Sequence, residues 1–396
     1  MAAMKSDTVR YYYIDNLRTA VIMLVILLHL AVTYSGLGRW YYNEEHAPEL
    51  FGLVFFSLFQ TFVQGFSMGM LFLVAGYFTP GALQRKGLGR FVKDRWRRLG
   101  LPSLFYLLVV TPFICWTELP SSQWRSSASN FPDFYSEYIM SAGMKLLGVG
   151  PMWFAVALLI FSIIYALLRT VRPPTESTGA ARGNGSFGIL AALIFIVTVG
   201  AFLLRLAFPL GTIFWGMQLC YFSQYTILFI AGILAYRTRF QERITSAVGR
   251  RWLIAGIFLG FPILFVIKWM AGVYHFPVEA AHMKSAYANV AGGASWFSFS
   301  FALWESFVAV SMTVGLMALF RDKLNNGGGL ARKLSDSSFA VYMFHPPMII
   351  AVSLALQTLV VVPALKWAIA SIISVPLCFL LGYHVLLRVP VLNKIL

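Results

Sequence analysis

Three ionisable side chains stand inside long apolar runs of this chain: His29, Glu305 and His345. A charge at bilayer depth is expensive, on the order of 3 kcal/mol on insertion scales, so such groups pair, stay neutral or line a wet path. An imidazole there is suited to moving a proton near neutral pH. A carboxyl group in the same setting has to be neutral, paired or hydrated, and each state is useful in proton transfer. Glu305 therefore reads as a partner that orients or charge-compensates His29. His345 precedes Pro346 and Pro347, so packing at a helix irregularity is its simpler reading.

A second concentration of chemistry runs from Gln84 to Arg98, where Arg85, Lys86, Arg90, Lys93, Arg95, Arg97 and Arg98 crowd together. Arg95 and Arg98 share a helix face by their spacing. Paired guanidinium groups suit a phosphate-bearing ligand, whose oxygens match their planar donors; anionic lipid headgroups would satisfy the same pattern. Arg18 lies in the same apolar run as His29, near its charged end, with Asp15 one helical turn away as an alternative partner.

The elements that must position these residues are membrane helices. The chain has 396 residues, 59% of them hydrophobic and 12% charged, with mean hydropathy +0.74. That composition lies outside the soluble range. Apolar runs occur at about 15–35, 51–79, 99–118, 150–169, 187–207, 213–236, 252–271, 293–320, 338–361 and 364–387, each near the ~20 residues a span requires. The expected fold is an all-α integral membrane bundle of about ten helices, forming a single domain over 1–396. The first run is too long for a signal-peptide core and is expected to be retained.

With the N-terminus inside, most of the 31 basic residues fall in inner segments. Arg39, Arg125, Lys145, Arg205, Lys268, Lys284 and Lys366 lie in outer segments or at span edges. This asymmetry predicts both termini cytoplasmic and absorbs most of the +16 net charge. No soluble basic domain remains to bind nucleic acid. Helical rise places His29 about 16 Å above Arg18, Glu305 about 24 Å above Arg321 and His345 about 14 Å above Asp336, which permits one polar cluster near the midplane. The outer segment 117–150, rich in Ser, Pro and aromatic residues, could fold back as a lid. The inner stretch 172–186 has the composition of an unfolded loop. Cys115, Cys220 and Cys378 show neither metal-ligand nor redox spacing.

Arg18 with His29 in the first span, and Arg95-x-x-Arg98 at the start of the third, resemble the membrane-bound acyltransferase-3 superfamily, and within it the branch that acts in glucan biosynthesis. The match extends through Ile14–Arg18, Ala75–Phe78, Arg95–Pro102, Gly150–Phe154, Trp304–Ser306 and Ser335–Pro347. The resemblance implies O-acyl transfer, succinyl or acetyl, from cytoplasmic acyl-CoA to a hydroxyl of an extracytoplasmic glycan at the cell (inner) membrane. Acyl-CoA is then a co-substrate, and no permanently bound cofactor or metal is expected. His29 becomes the general base or a transient acyl carrier, with Glu305 beside it. Arg95 and Arg98, helped by Arg90, Lys93 and Lys86, would hold the nucleotide phosphates, with Arg18 nearby. Asp15, Trp153 and His345 are the candidate substrate contacts, Trp153 being equally suited to anchoring at the interface. A proton-coupled transporter or a flippase of an envelope glycan or lipid also uses midplane carboxylates and histidines. That alternative leaves the concentration of cations at one inner mouth unexplained.

Overall fold

The computed structural model describes residues 10–38, 40–44, 49–117, 128–140, 148–171, 186–274 and 280–389. Among these, ten helices are long and apolar enough to cross a membrane. They are α1 (Tyr12–Ser35), α2 (Leu50–Lys86), α3 (Leu88–Thr117), α5 (Trp153–Val171), α6 (Ser186–Ala207), α7 (Phe222–Thr238), α8 (Ser246–Met270), α10 (Trp296–Lys323), α11 (Gly329–Ala355) and α12 (Pro363–His384). Two shorter helices, α4 (Phe131–Met140) and α9 (Ala280–Ala291), join them. The described strands are one antiparallel pair, Ile213–Phe214 with Met217–Gln218. The protein is an all-α membrane bundle.

At its centre α1 packs on α2, α10, α11 and α12. Leu17, Val21, Ile26 and Leu30 of α1 are buried against these neighbours. At one end of α1, the Asn16 side-chain amide donates to the carbonyls of Leu324 (2.7 Å) and Asn326 (3.0 Å), which lie just beyond the end of α10. Carbonyls at and beyond a helix terminus lack helical partners, so this contact fixes α1 to α10. Helices α2 and α7 cross so closely that a Cβ on Gly76 would run into the carbonyl of Phe229, and one on Gly232 into that of Leu73. Small residues are what allow such approach in a bilayer.

Several boundaries differ from the sequence expectation. The basic stretch 84–98 is helical almost throughout: α2 runs on to Lys86, and α3 begins at Leu88 after a turn at Gly87, whose φ is 71°. Charge marks this stretch as polar but does not interrupt a helix. Of the expected outer lid, residues 131–140 form α4, while 118–127 and 141–147 lie outside the described residues. Helix α4 docks on α3 through Tyr138, whose hydroxyl donates to Leu107 O (2.7 Å), and Tyr135, which donates to Leu108 O (3.1 Å). Pro112, which has no N–H to give, and the register change of the π-helical turn Tyr106–Val110 together account for free acceptors in this stretch. The stretch 172–185, expected to be an inner loop, also lies outside the described residues.

Pro346 and Pro347 do not break α11, which continues from Gly329 to Ala355. Their effect is local, on the acceptors one turn earlier.

Candidate active site

A cavity of about 540 Å³ opens at the end of the bundle that carries the arginines. Its walls include Arg10, Asp15 and Arg18 from the start of α1 and Arg95 and Arg98 from α3, so four guanidinium groups face one carboxylate among the lining residues. Farther in, Ile22, Leu71, Val74, Phe154, Leu158 and Tyr342 make the lining apolar. A basic mouth focuses anions, and a greasy throat accepts a thin neutral chain.

The cations are unequally occupied. Asp15 is engaged by Arg10 at 2.7 Å, leaving Arg18 4.0 Å from it with a half-exposed side chain. Arg10 also reaches Asp336 at 3.2 Å; these two carboxylates raise its pKa further, so it stays charged. Arg95 lies over the Phe91 ring at 5.1 Å, with no carboxylate at salt-bridge distance among the described residues. Arg98 touches Asp94 at 3.1 Å and is otherwise open. Lys86 is taken up by Asp94 at 2.6 Å, and it, Arg90 and Lys93 are absent from the cavity wall. The structure thus unites Arg18, Arg95 and Arg98 and leaves the other three expected phosphate ligands aside.

The histidine of α1 is not among the lining residues; it stands about 10 Å along the helix from Ile22, which is. His29 is half-buried, and its Nδ1 meets His345 Nε2 at 2.8 Å, with the two rings nearly parallel. His345 is fully buried, and its Nδ1 lies 2.9 Å from the backbone carbonyl of Tyr342. That carbonyl is available because Pro346, four residues on, has no N–H to give it. A carbonyl can only accept, so His345 Nδ1 carries a proton. In the neutral ring His345 Nε2 is then the acceptor, His29 Nδ1 the donor, and His29 Nε2 carries a lone pair. One face of His29 is covered by Trp40, stacked with ring centroids 3.8 Å apart.

The expected contact between Glu305 and His29 is replaced by a different pair. Arg205, fully buried, donates from Nη2 to Glu305 Oε2 at 2.5 Å. Arg205 also lies over the rings of Tyr221 (5.5 Å) and Phe301 (5.2 Å). An outer span-edge charge in the sequence reading is therefore an interior one. No regular spacing links positions a hundred residues apart; the depth of Glu305 was the available signal that some cation must reach it. Lys366 likewise forms a buried pair, 2.8 Å from Glu44.

His345 backs His29 rather than facing a substrate space. Trp153 stacks on Tyr225 at 5.4 Å in an aromatic cluster with Phe72 and Phe222. Its neighbours Gly150 and Pro151 have a packing role: the Tyr342 hydroxyl donates to Pro151 O, and a Cβ on Gly150 would strike the Tyr41 hydroxyl.

A multi-pass helical bundle with a basic-mouthed, apolar-throated cavity and a hydrogen-bonded histidine pair is compatible with a transferase of the membrane, and similarity to known proteins gives the class. A model of the acyltransferase domain matches residues 11–383, and the chain belongs to the acyltransferase-3 family. Among curated proteins it is similar to glucans biosynthesis protein C of Escherichia coli, 23% identical over 200 residues covering 50% of this chain and 49% of that protein. It is also similar to the Salmonella gallinarum protein of the same name, 25% identical over 191 residues covering 48% and 46%. The chain thus matches about half the length of these relatives. No solved structure matches it.

Proposed function

We propose that this protein is an O-acyltransferase of the cell membrane that carries an acyl group from cytoplasmic acyl-CoA to a glycan hydroxyl on the opposite side. The observation that carries this reading is the proton chain from Tyr342 O through His345 to His29, which leaves the outermost imidazole nitrogen as a base beyond the arginine-mouthed cavity.

Arg18, Arg95 and Arg98 hold the nucleotide phosphates at the mouth. The pantetheine arm enters the throat past Ile22, Val74 and Phe154 and presents the thioester toward His29, about 10 Å beyond Ile22 by helical rise. His29 Nε2 takes the proton of the acceptor hydroxyl as its oxygen attacks the thioester carbonyl carbon. The C–O bond forms, the C–S bond breaks, and the imidazolium returns its proton to the departing thiolate. Ester and free CoA are the products. His345 holds the ring of His29 in orientation throughout, with Tyr342 O as the fixed end of the chain.

The donor fits the succinyl or acetyl class, and the acceptor class is a glucan, by analogy with the named relatives. The test is purified protein in vesicles without any gradient, supplied with succinyl-CoA or acetyl-CoA and a soluble glucan oligosaccharide. Ester formation is expected, with His29→Ala slower by about 10²–10⁴-fold at unchanged CoA binding. Parental rates from a folded, CoA-binding His29→Ala protein would end the assignment.

A further inference from the structure

Trp40 lies in the segment between α1 and α2, and its indole packs on His29 with an interplanar angle of 12°. It is also parallel to His345 at 6.2 Å, so three rings share one orientation. The segment is fastened at several points. Glu44 N donates to Thr33 O at 2.9 Å, and the Glu44 carboxylate is gripped by Lys366. Gln60 donates to Ser35 Oγ at 2.8 Å, and that same oxygen accepts from Leu37 N at 3.0 Å.

The indole nitrogen is the anomaly. Trp40 Nε1 is sealed from solvent and has no hydrogen-bond acceptor among the described residues. Two other indoles in the bundle are satisfied: Trp304 Nε1 donates to Gly260 O at 2.7 Å and Trp367 Nε1 to Leu27 O at 3.0 Å. A buried donor left unmatched is destabilising unless something supplies an acceptor. Among the described residues, the buried indole nitrogen left unmatched is the one stacked on His29.

We propose that the Trp40 indole N–H is a substrate-binding donor, completed by an oxygen of the reacting groups beside His29. This rests on His29 being the base. Two oxygens of the same reaction fit: the thioester carbonyl oxygen, which becomes an oxyanion when the acceptor oxygen adds to its carbon, or the acceptor hydroxyl oxygen, whose proton passes to His29 Nε2. The first raises the rate by holding charge that develops in the transition state. The second lowers the acceptor KM.

Trp40→Phe keeps an aromatic ring at the imidazole and removes the N–H together with part of the bicyclic ring. With acetyl-CoA or succinyl-CoA and a soluble glucan oligosaccharide, a kcat loss on the order of 10- to 100-fold at parental KM assigns the carbonyl oxygen. A comparable rise in glucan KM at parental kcat assigns the hydroxyl. The smaller ring also gives up packing, so a lower thermal midpoint is expected whatever the N–H does, and the kinetic constants alone carry the test. Rates are normalised to CoA-binding sites, so loss of folded protein does not mimic the effect. Both kinetic constants within twofold of parental would overturn the proposal. Parental protein and His29→Ala run alongside: activity in the first and loss in the second keep the acyltransferase reading even if Trp40→Phe behaves as parental.

Discussion

Replacing His345 with Phe keeps a flat ring packed in α11 but removes both nitrogens that connect Tyr342 O to His29. Two hydrogen bonds vanish, at 2.8 Å and 2.9 Å. Each neutral bond contributes about 0.5–1.5 kcal/mol, and a group left unpaired in the interior costs about 1–3 kcal/mol. Tyr342 O has no substitute donor, because position 346 is proline, so the thermal midpoint should fall. The larger effect is on tautomer. Without an acceptor at Nδ1, His29 no longer keeps its proton on that nitrogen, and Nε2 loses the lone pair that takes the hydroxyl proton. Misorienting one neutral bond would slow transfer at least severalfold, and full loss of the base would reach about 10⁴-fold. The expected fall in kcat is between about 10- and 1,000-fold. The acyl-CoA KM should hold, since Arg18 lies about 16 Å away along α1. His345→Gln offers an amide N–H toward Tyr342 O and a carbonyl toward His29, and should recover part of the loss. Steady-state ester formation well below the lowered midpoint measures all three proteins. A folded His345→Phe protein with kcat within threefold of parental would refute the tautomer reasoning.

Two further outcomes separate the roles of the charged residues. Arg95→Gln and Arg98→Gln should each raise the acyl-CoA KM about tenfold or more and weaken its salt dependence while leaving kcat in place; Lys93→Gln, off the cavity wall, should leave KM nearly unchanged, and equal responses from all three would dismiss the phosphate site. Glu305→Gln strands the Arg205 charge and should destabilise by about 3–5 kcal/mol, whereas the double change Arg205→Met with Glu305→Met should recover most of that by burying neither charge. If kcat per folded molecule in the double variant matches the parental value, Glu305 is structural; a large loss there would return it to the reacting centre.

The ten spans were legible because a bilayer demands long apolar helices, and the runs from α1 to α12 met that demand. His29, Arg18, Arg95 and Arg98 were legible because charge in or beside apolar sequence is rare enough to stand out. Partnership was not legible. Glu305 was matched to His29 by depth along separate helices, but depth gives no azimuth, and a carboxylate on α10 can face any of several neighbours. It faces α6, where Arg205 ends a helix whose remaining lipid-facing residues gave no hint of an inward guanidinium. The stretch 84–98 misled in another way: high charge marked the mouth of a cavity, yet lysine and arginine are good helix formers. Helical structure then let Asp94 claim Lys86 and dispose Arg95 and Arg98 toward the cavity.

Proline had a clearer signature than the sequence reading gave it. Within a bilayer little water is at hand to satisfy a carbonyl that proline has freed, and at two prolines of this bundle side chains do so. Pro112 and the π-helical turn before it leave acceptors that Tyr135 and Tyr138 fill, which pins α4 to α3. Pro346 frees Tyr342 O, and the residue immediately before it is the histidine that fills it. The same helix turn carries the Tyr342 hydroxyl to Pro151 O, tying the Gly150–Pro151 segment to α11. Tyr342-x-x-His345-Pro346 is thus a unit: the proline supplies the acceptor, the acceptor sets the histidine proton, and that proton sets which nitrogen of His29 stays bare. A helix irregularity is the wrong description of Pro346, because α11 passes through it unbroken. What the proline alters is the identity of the group bonded to one carbonyl, and through it the state of a ring two hydrogen bonds away.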